Sequence, residues 1–265
     1  MDLDLTGRRA VVTGGSRGIG FAIAEALAAE GADVALLARD PDRLAAAAGR
    51  LRERGGRVLA LSADTTDDKA VRSAITQVAA DLGGVDILVN NAATPAGASA
   101  PRDLDDLLDA DILAAFDTKV LGYLRTARAA APYMIAQGWG RIINISGLAA
   151  RSVSTASGSI RNVAVAALTK TLADELGPKG VNVTVVHPGW TVTERTADHI
   201  AAYASARGIT EAAAQVLLAK GISIGRPVTA AELADVVTFL ASPRSVAVNG
   251  DTIAAGGGTR GPIHY

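Results

Sequence analysis

The sequence predicts an α/β fold in which seven parallel strands form one doubly wound sheet with helices on both faces. Two observations support this prediction. Short β-branched runs alternate with longer Ala- and Leu-rich stretches, and no Pro/Gly/Ser-rich linker or internal repeat divides the 265 residues. Because such alternation requires right-handed crossovers between parallel strands, we expect one domain that spans residues 1–265.

The predicted strands are short runs of Val, Ile, Leu and Ala, as is typical of strands that are buried on both faces of a sheet. In chain order they cover residues 9–13, 33–38, 57–62, 85–90, 140–146, 181–187 and 251–255.

The predicted helices are the longer stretches in which Ala and Leu recur at helical spacing. Pro41 suits the first turn of the second helix, where a backbone N–H would have no helical partner. The helices cover residues 18–30, 40–54, 67–82, 103–114, 116–137, 157–176 and 229–241. A polar, Ala-rich excursion over about 191–225 predicts further helices outside the main layers.

The composition argues against several classes of partner. With 26 basic and 27 acidic residues the net charge is −1, which gives no reason to expect nucleic acid or an anionic membrane as a partner. The chain has no cysteine, and His187, His199 and His264 lack metal-ligand spacing, so no metal is expected.

The sequence shows neither the pattern of a signal peptide nor that of a membrane-spanning helix. The first residues, Met1 to Asp4, are acidic where a signal peptide needs a basic segment. The longest uncharged stretch, 87–101, is too short and too polar to cross a bilayer. We therefore expect a cytoplasmic protein.

A glycine-rich turn follows the first predicted strand and opens directly into a helix. Such a turn lets the backbone approach a pyrophosphate, whose charge is favoured at a helix N-terminus. The turn could also be a tight strand-to-helix connection without a ligand. Its position in the first βα unit favours dinucleotide binding, and its sequence is Thr13, Gly14, Gly15, Ser16, Arg17, Gly18, Ile19 and Gly20.

The glycine spacing resembles the TGxxxGxG motif of the short-chain dehydrogenase/reductase family, and further landmarks of that family follow in order. This resemblance covers nearly the whole chain and implies a Rossmann-type fold, with the excursion as a substrate lid. It places the following residues at the cofactor: Gly14, Ser16, Arg17, Gly18, Ile19 and Gly20 in the turn, then Asp64, Asn91, Ala92, Pro188, Gly189, Thr191 and Thr193.

The end of the second strand indicates which cofactor is bound. An acidic residue there would bind the adenosine ribose and repel a 2′-phosphate. Here the position is Ala38, followed by Arg39, while Arg17 lies in the glycine turn. Two guanidinium groups suit a phosphate dianion, although both arginines could be solvated surface residues. We predict NADP(H) as the cofactor.

The catalytic positions of the family are where the resemblance fails. The family uses a Tyr and a Lys spaced YxxxK, and no YxxxK occurs in this chain. Aligned on the ALTK segment that ends at Lys170, the Tyr position is Gly158 and the Lys position is Asn162. The family Ser falls on Gly147, next to Ser146, and the family Asn falls on Lys119.

The changes include a reciprocal exchange, because Asn has become Lys at 119 and Lys has become Asn at 162. The family geometry implies that these positions face each other, so Lys119 could reach the cofactor ribose or the substrate with Asn162 as its partner. The exchange could equally be accidental. We take Lys119, Ser146 and Asn162 as the catalytic candidates. Beside the oxidised cofactor ring, the pKa of Lys119 should be lowered by like charge.

No residue obviously succeeds the missing tyrosine as proton donor. Tyr123, one turn after Lys119, is expected to pack against neighbouring helices. His199 and Tyr203 lie in the excursion, and His199 is expected to face solvent. His187 is expected to matter through its backbone.

The leading hypothesis is therefore an NADP(H)-dependent oxidoreductase with a non-standard site that reduces a small carbonyl, imine or enone. Two alternatives remain: a non-redox lyase or isomerase on the same scaffold, and a binding module without catalysis. In the family, the helices that correspond to 116–137 and 157–176 form subunit contacts, so a homotetramer or homodimer is expected.

Overall fold

The computed structural model describes residues 1–93 and 107–260 of the chain. Seven parallel strands form its main sheet, as the sequence predicts. These strands are β1 (Arg9–Thr13), β2 (Asp33–Ala38), β3 (Val58–Ser62), β4 (Ile87–Asn90), β5 (Gly140–Ile145), β6 (Val181–Pro188) and β9 (Thr252–Ala255). Their order across the sheet is β3-β2-β1-β4-β5-β6-β9.

Two helical layers cover this sheet. On one face Leu27, Leu44 and Leu233 join the core from three helices, and on the other face Ile75 and Met134 do the same. The first layer contains α1 (Gly18–Ala29), α2 (Pro41–Arg52) and α9 (Ala230–Ala241). The second contains α3 (Asp68–Leu82), α5 (Gly122–Ala136) and α6 (Ala156–Leu176).

Several helices begin where a side chain caps the first turn. Asp40 accepts a hydrogen bond from the backbone N–H of Arg43 at 3.1 Å, directly before Pro41. Thr229 and Glu232 form a capping box at the start of α9. These caps explain why both helices begin one residue after the predicted start.

The region before α5 differs from the prediction of two separate helices. Helix α4 (Asp109–Phe116) continues through a π-helical turn (Asp117–Leu121) into α5. The predicted helix start at Asp103 lies outside the described residues, as do His264 and residues 94–101 of the uncharged stretch. The π turn matters for the site because Lys119 lies within it.

The excursion contains α7 (Thr196–Arg207) and α8 (Glu211–Lys220), as expected, and a small sheet that the sequence analysis missed. In this sheet β7 (Thr191–Val192) pairs with β8 (Val228–Thr229). Two-residue strands are too short to show a period in the sequence. No described helix has the length and hydropathy that a membrane span requires.

The connectivity of the main sheet determines where a ligand can bind. The chain proceeds from β1 outward to β3 and then returns to β4 on the other side of β1. Ligands of such sheets bind beyond the carboxyl ends of the strands at this reversal. The turns after β1, β4, β5 and β6 therefore meet at one edge.

Candidate active site

The glycine turn after β1 is shaped for close approach of a ligand. Gly14 and Gly18 have φ values of +64° and +56°, which favour glycine. A side chain on Gly20 would collide with the Gly14 carbonyl and the Asn91 amide, so α1 can approach the turn only with glycine there. Among the described residues no side chain caps α1, which leaves its first N–H groups for an anion.

The end of β4 is joined to this turn by hydrogen bonds. The Thr13 hydroxyl accepts hydrogen bonds from the backbone N–H groups of Asn91 and Ala92, at 3.0 and 3.1 Å. The Asn91 amide in turn donates to the carbonyl oxygens of Thr13 and Gly14, each at 3.2 Å. Two of the predicted cofactor residues are therefore fixed against the glycine turn.

Arg39 and Arg43 follow the end of β2 and line the same cleft as Ala38 and Arg17. Arg39 is 3.8 Å from the Asp64 carboxylate, and Arg43 is 3.1 Å from that of Asp40. Burial alone would raise the pKa of Asp64, but hydrogen bonds from Thr66 and the nearby arginine charge lower it, so the carboxylate stays ionised. The sequence analysis missed Arg43, although its position one turn into α2, beyond Arg39, was a usable signal.

The cleft formed by these turns has a volume of about 860 Å³. Twelve of the fourteen predicted cofactor residues line it, together with Trp190, Arg43 and the exposed His199. The exceptions are Gly20, which packs beneath the turn, and Pro188, which is buried at the end of β6. The lining residues are Gly14, Ser16, Arg17, Gly18, Ile19, Arg39, Asp64, Asn91, Ala92, Gly189, Thr191 and Thr193.

The structure brings the three catalytic candidates into one hydrogen-bonded group. The Nζ atom of Lys119 donates to the Oδ1 atom of Asn162 and to the backbone oxygen of Ser146, each at 2.9 Å. The Ser146 hydroxyl donates to the backbone oxygen of Asn162 at 3.1 Å and to its Oδ1 atom at 3.3 Å. The π turn, β5 and α6 thus meet at these side chains, and all three residues are less than 9% exposed.

Burial changes the acidity of Lys119. Desolvation, followed by the positive charge of Arg161, lowers its pKa to about 7. The pKa of Lys119 is therefore lowered, as expected. The main cause is burial, whereas the sequence analysis expected the charge of an oxidised nicotinamide ring. No described carboxylate forms an ion pair with Lys119. Near neutral pH the group can thus be either an ammonium or an amine.

Tyr123 does not take the place of the family tyrosine. Its hydroxyl donates to the backbone oxygen of Ile145 at 2.8 Å, and burial raises the pKa of this phenol. The residue is only 1% exposed. The Tyr123 side chain therefore supports the end of β5. Gly158, which the motif alignment predicts at the family tyrosine position, has no acidic group of its own.

His187 acts through its side chain, whereas the sequence analysis expected a role for its backbone. Its Nδ1 atom accepts a hydrogen bond from the Gly147 N–H at 3.3 Å. Burial, followed by the positive charges of Arg151 and Lys119, lowers the pKa of His187 to about 4. The ring is therefore neutral at neutral pH, and it fixes the backbone just after Ser146.

A second cavity, of about 640 Å³, lies at the excursion. Trp190 and Thr196 line both cavities, so they lie at the boundary between the cofactor cleft and the α7–α8 region. The apolar side chains of Val192, Ile200 and Val216 line the second cavity. Tyr203 is not among its lining residues and stacks on Arg207 instead, 3.8 Å from the guanidinium carbon.

Comparisons with known proteins agree with this geometry. The short-chain reductase protein NovJ of Streptomyces niveus is 35% identical over 255 residues, which cover 94% of this chain and 92% of NovJ. The structure of L-sorbose reductase from Gluconobacter frateurii, complexed with NADPH and L-sorbose, matches with a TM-score of 0.91 and 31% identity, covering 99% of this chain and 100% of that one. An NAD⁺-bound xylitol dehydrogenase matches with a TM-score of 0.88 and 27% identity, covering 96% of this chain and 100% of that one.

These relatives are oxidoreductases, and they do not favour the lyase, isomerase or binding-module alternatives. The family described as short chain dehydrogenase matches residues 8–204, which is most of the chain. With the sheet order, the glycine turn and this match in agreement, the chain belongs to the short-chain dehydrogenase/reductase family of oxidoreductases.

Proposed function

We propose that this protein is an NADP(H)-dependent reductase that acts on a small carbonyl, imine or enone through a non-standard proton-transfer site. The observation that carries this proposal is the hydrogen-bonded group of Lys119, Asn162 and Ser146. These three buried residues do not line the cleft of dinucleotide size, but Thr118, the residue before Lys119, does. The reaction class is inferred from the family, and the non-standard proton-transfer site is inferred from the residues of this chain.

The residues of the cleft fit a dinucleotide. Gly14, Gly18 and the uncapped start of α1 leave space and N–H donors for a pyrophosphate. When bound, NADPH would supply a hydride to an electrophilic carbon. Thr191 and Thr193 line the part of the cleft next to the turn after β6 and would orient the nicotinamide side.

Positive charge at the adenosine end favours NADP(H) over NAD(H). Arg17, Arg39 and Arg43 line the cleft, and Ala38 offers no carboxylate to a ribose diol. Asp40, the nearest acid in the sequence, caps α2 and pairs with Arg43. The named relatives include both an NADPH and an NAD⁺ complex, so the local charge is what supports this choice.

Lys119 is the proposed proton donor. A general acid is most effective when its pKa is close to the working pH, and the pKa of Lys119 is about 7. Ser146 and Asn162 accept its hydrogen bonds and hold the ammonium in place. The lysine would thus supply the proton that the tyrosine supplies in other members of the family.

The substrate would enter beside Trp190, with α7 and α8 as its lid. A homodimer or homotetramer would bury the apolar side chains that α6 exposes, namely Ile160 and Val163, which are 47% and 52% exposed. The substrate is a small molecule, because the cleft and the neighbouring cavity, of about 860 and 640 Å³, have the size of small-molecule sites.

The proposal is tested by the loss of NADPH absorbance with a panel of ketones, cyclic imines and enones. We expect oxidation of NADPH with at least one class, and slower oxidation of NADH. Conversion of a panel compound without any absorbance change would support a lyase or isomerase instead. Tight binding of NADPH without any conversion would support the binding module.

A further inference from the structure

The second cavity, next to the cofactor cleft, combines an apolar lining with an excess of positive charge. Ile200 and Val216 belong to its apolar lining. Of the described residues that line it, three are basic, namely Lys220, Arg226 and Arg260, and none is acidic. This composition suits a molecule with an apolar body and an anionic group.

Backbone hydrogen bonds bring two of these cations together from distant parts of the chain. The segment after α8 runs antiparallel to the segment after β9, and the Ser223 N–H donates to the backbone oxygen of Gly258 at 2.9 Å. The Arg260 N–H donates to the backbone oxygen of Gly221 at 3.1 Å. Because Gly221 directly follows Lys220, the backbones of Lys220 and Arg260 are neighbours at the cavity.

Within the described residues, only one of the three cations is neutralised. The guanidinium of Arg226 donates to both carboxylate oxygens of Glu232, at 2.8 and 2.5 Å. No described carboxylate forms an ion pair with Lys220 or Arg260. Lys220 ends α8, where a cation is favoured in any case, but no such reason applies to Arg260. Like charges that the fold brings together repel each other, and a bound anion would relieve this repulsion.

The second cavity is continuous with the site of the reaction. Trp190 and Thr196 line both the cofactor cleft and this cavity. A molecule whose reacting carbon lies in the cofactor cleft can therefore extend past Trp190 into the second cavity. Lys220 and Arg260 would then contact the part of the substrate that is remote from the reacting carbon.

We propose that the second cavity binds the apolar body and a remote carboxylate of the substrate, and that Arg260 and Lys220 select this anion. The inference rests on the proposed reductase function and narrows its substrate class to compounds that carry a carboxylate on an apolar chain. The planar fork of a guanidinium matches the two oxygen atoms of a carboxylate, and the ammonium of Lys220 adds a second positive charge. Both residues determine specificity and take no part in the chemical step.

The first measurement is binding, which does not depend on turnover. Calorimetry compares octanoate with octanamide, a molecule of the same length without a charge. We expect octanoate to bind at least about fivefold more tightly, the upper range for an exposed ion pair. The difference should decrease as the salt concentration is raised. Octanoate should also change the tryptophan fluorescence of the wild type but not that of Trp190→Phe, because Trp190 lines the cavity.

The double variant Lys220→Gln and Arg260→Gln removes both charges and keeps polar side chains. In this variant octanoate and octanamide should bind with equal affinity. The dissociation constant of NADPH and the urea midpoint should stay the same, because both side chains are exposed and neither lines the cofactor cleft. Lys170→Gln is the matched control, since Lys170 is an exposed lysine that pairs with Asp174 and does not line this cavity.

The second measurement is turnover of 7-oxooctanoate and of its methyl ester with NADPH. We expect kcat/KM to be higher for the acid by a factor similar to the difference in binding, and the difference to lie in KM. The double variant should give equal kcat/KM values for the acid and the ester. Its kcat should be unchanged, because neither residue contacts the reacting atoms.

Several outcomes would overturn the inference and leave the reductase function intact. They are equal wild-type affinities for octanoate and octanamide, a preference for octanoate that the double variant retains, and a fluorescence response that Trp190→Phe retains. Reduction of panel compounds without any advantage of 7-oxooctanoate over its ester would also contradict it. If octanoate binds as expected but neither 7-oxooctanoate nor any compound of the wider panel oxidises NADPH, the anion-binding cavity is supported and the proposed reductase function fails.

Discussion

The Nζ atom of Lys119 lies 2.9 Å from the Oδ1 atom of Asn162, so the two residues that the motif alignment predicts to be exchanged are in direct contact. Lys119 comes from the π turn and Asn162 from α6. The contact supports a functional exchange, because an accidental pair of substitutions need not produce a matched donor and acceptor. The π turn is itself a feature that is frequent at functional sites.

Lys119→Met should lower turnover by at least about tenfold, because a positioned general acid contributes roughly 10²–10⁴-fold. Methionine has a similar length but no charge. The dissociation constant of NADPH should remain nearly unchanged, since the arginines and glycines of the cleft are intact. Lys170→Met is the matched control, because Lys170 lies on the surface of α6 and pairs with Asp174.

The pH profile gives a second check on Lys119. If its ammonium is the proton donor, kcat should fall as pH rises through about 7, the pKa of this group. Lys119→Met should lose this step. Full activity in the variant, or a profile that Lys119→Met leaves unchanged, would show that the exchange is accidental.

Arg39→Ala should weaken the binding of NADPH and leave the binding of NADH unchanged. Loss of one charge-assisted contact to the 2′-phosphate costs about 1.5–3 kcal/mol, which corresponds to roughly 10- to 150-fold in the dissociation constant. Titration of the intrinsic fluorescence or calorimetry measures both constants. Arg57→Ala is the control, because Arg57 pairs with Asp33 and does not line the cleft. Equal wild-type affinities for the two cofactors would refute the choice of NADP(H).

His187 should make the fold sensitive to acid. Its pKa is about 4 in the folded protein and about 6.5 when unfolded, so the unfolded chain binds more protons between these values. The free energy of unfolding should therefore fall as pH falls from about 6.5 to about 4, by up to about 1.4 kcal/mol per pH unit from this group.

His187→Asn provides the comparison, because an asparagine oxygen can accept the Gly147 N–H without titrating. Urea midpoints at pH values near 7 and near 5 should differ less in this variant than in the wild type. The same loss of stability in both proteins would mean that other groups cause the acid sensitivity.

The exposed apolar face of α6 should be covered by a second copy of the chain. Light scattering at micromolar concentration should give a dimer or tetramer, and Val163→Glu should shift it towards monomer by burying a charge in the contact. Val216→Glu is the control, because Val216 is also an exposed valine but lies on α8 beside the second cavity, 70% exposed. This substitution should leave the assembly unchanged. A monomeric wild type would contradict the expected subunit contact.

The sequence alone determined the main sheet, most of the helices and the glycine turn after β1. The runs that form β4 and β6 are short, apolar and bounded by turns. Such a pattern predicts a buried strand from local sequence alone. The glycine turn also carries its information locally, because Gly14 and Gly18 adopt backbone angles that few other residues accept. The sequence indicated a reciprocal change at positions 119 and 162, but it could not show whether the two side chains are in contact.

Tertiary structure decided which of these side chains meet and in which chemical state. Lys119 and Ser146 are 27 residues apart and belong to different elements, and only packing places Nζ 2.9 Å from the Ser146 oxygen. Burial is likewise a property of the assembled fold, and it lowers the pKa of Lys119 to about 7. The same holds for His187, whose ring is neutral because the folded chain removes it from water. Local sequence specifies backbone conformation, whereas desolvation and contacts between distant residues exist only once the layers have packed.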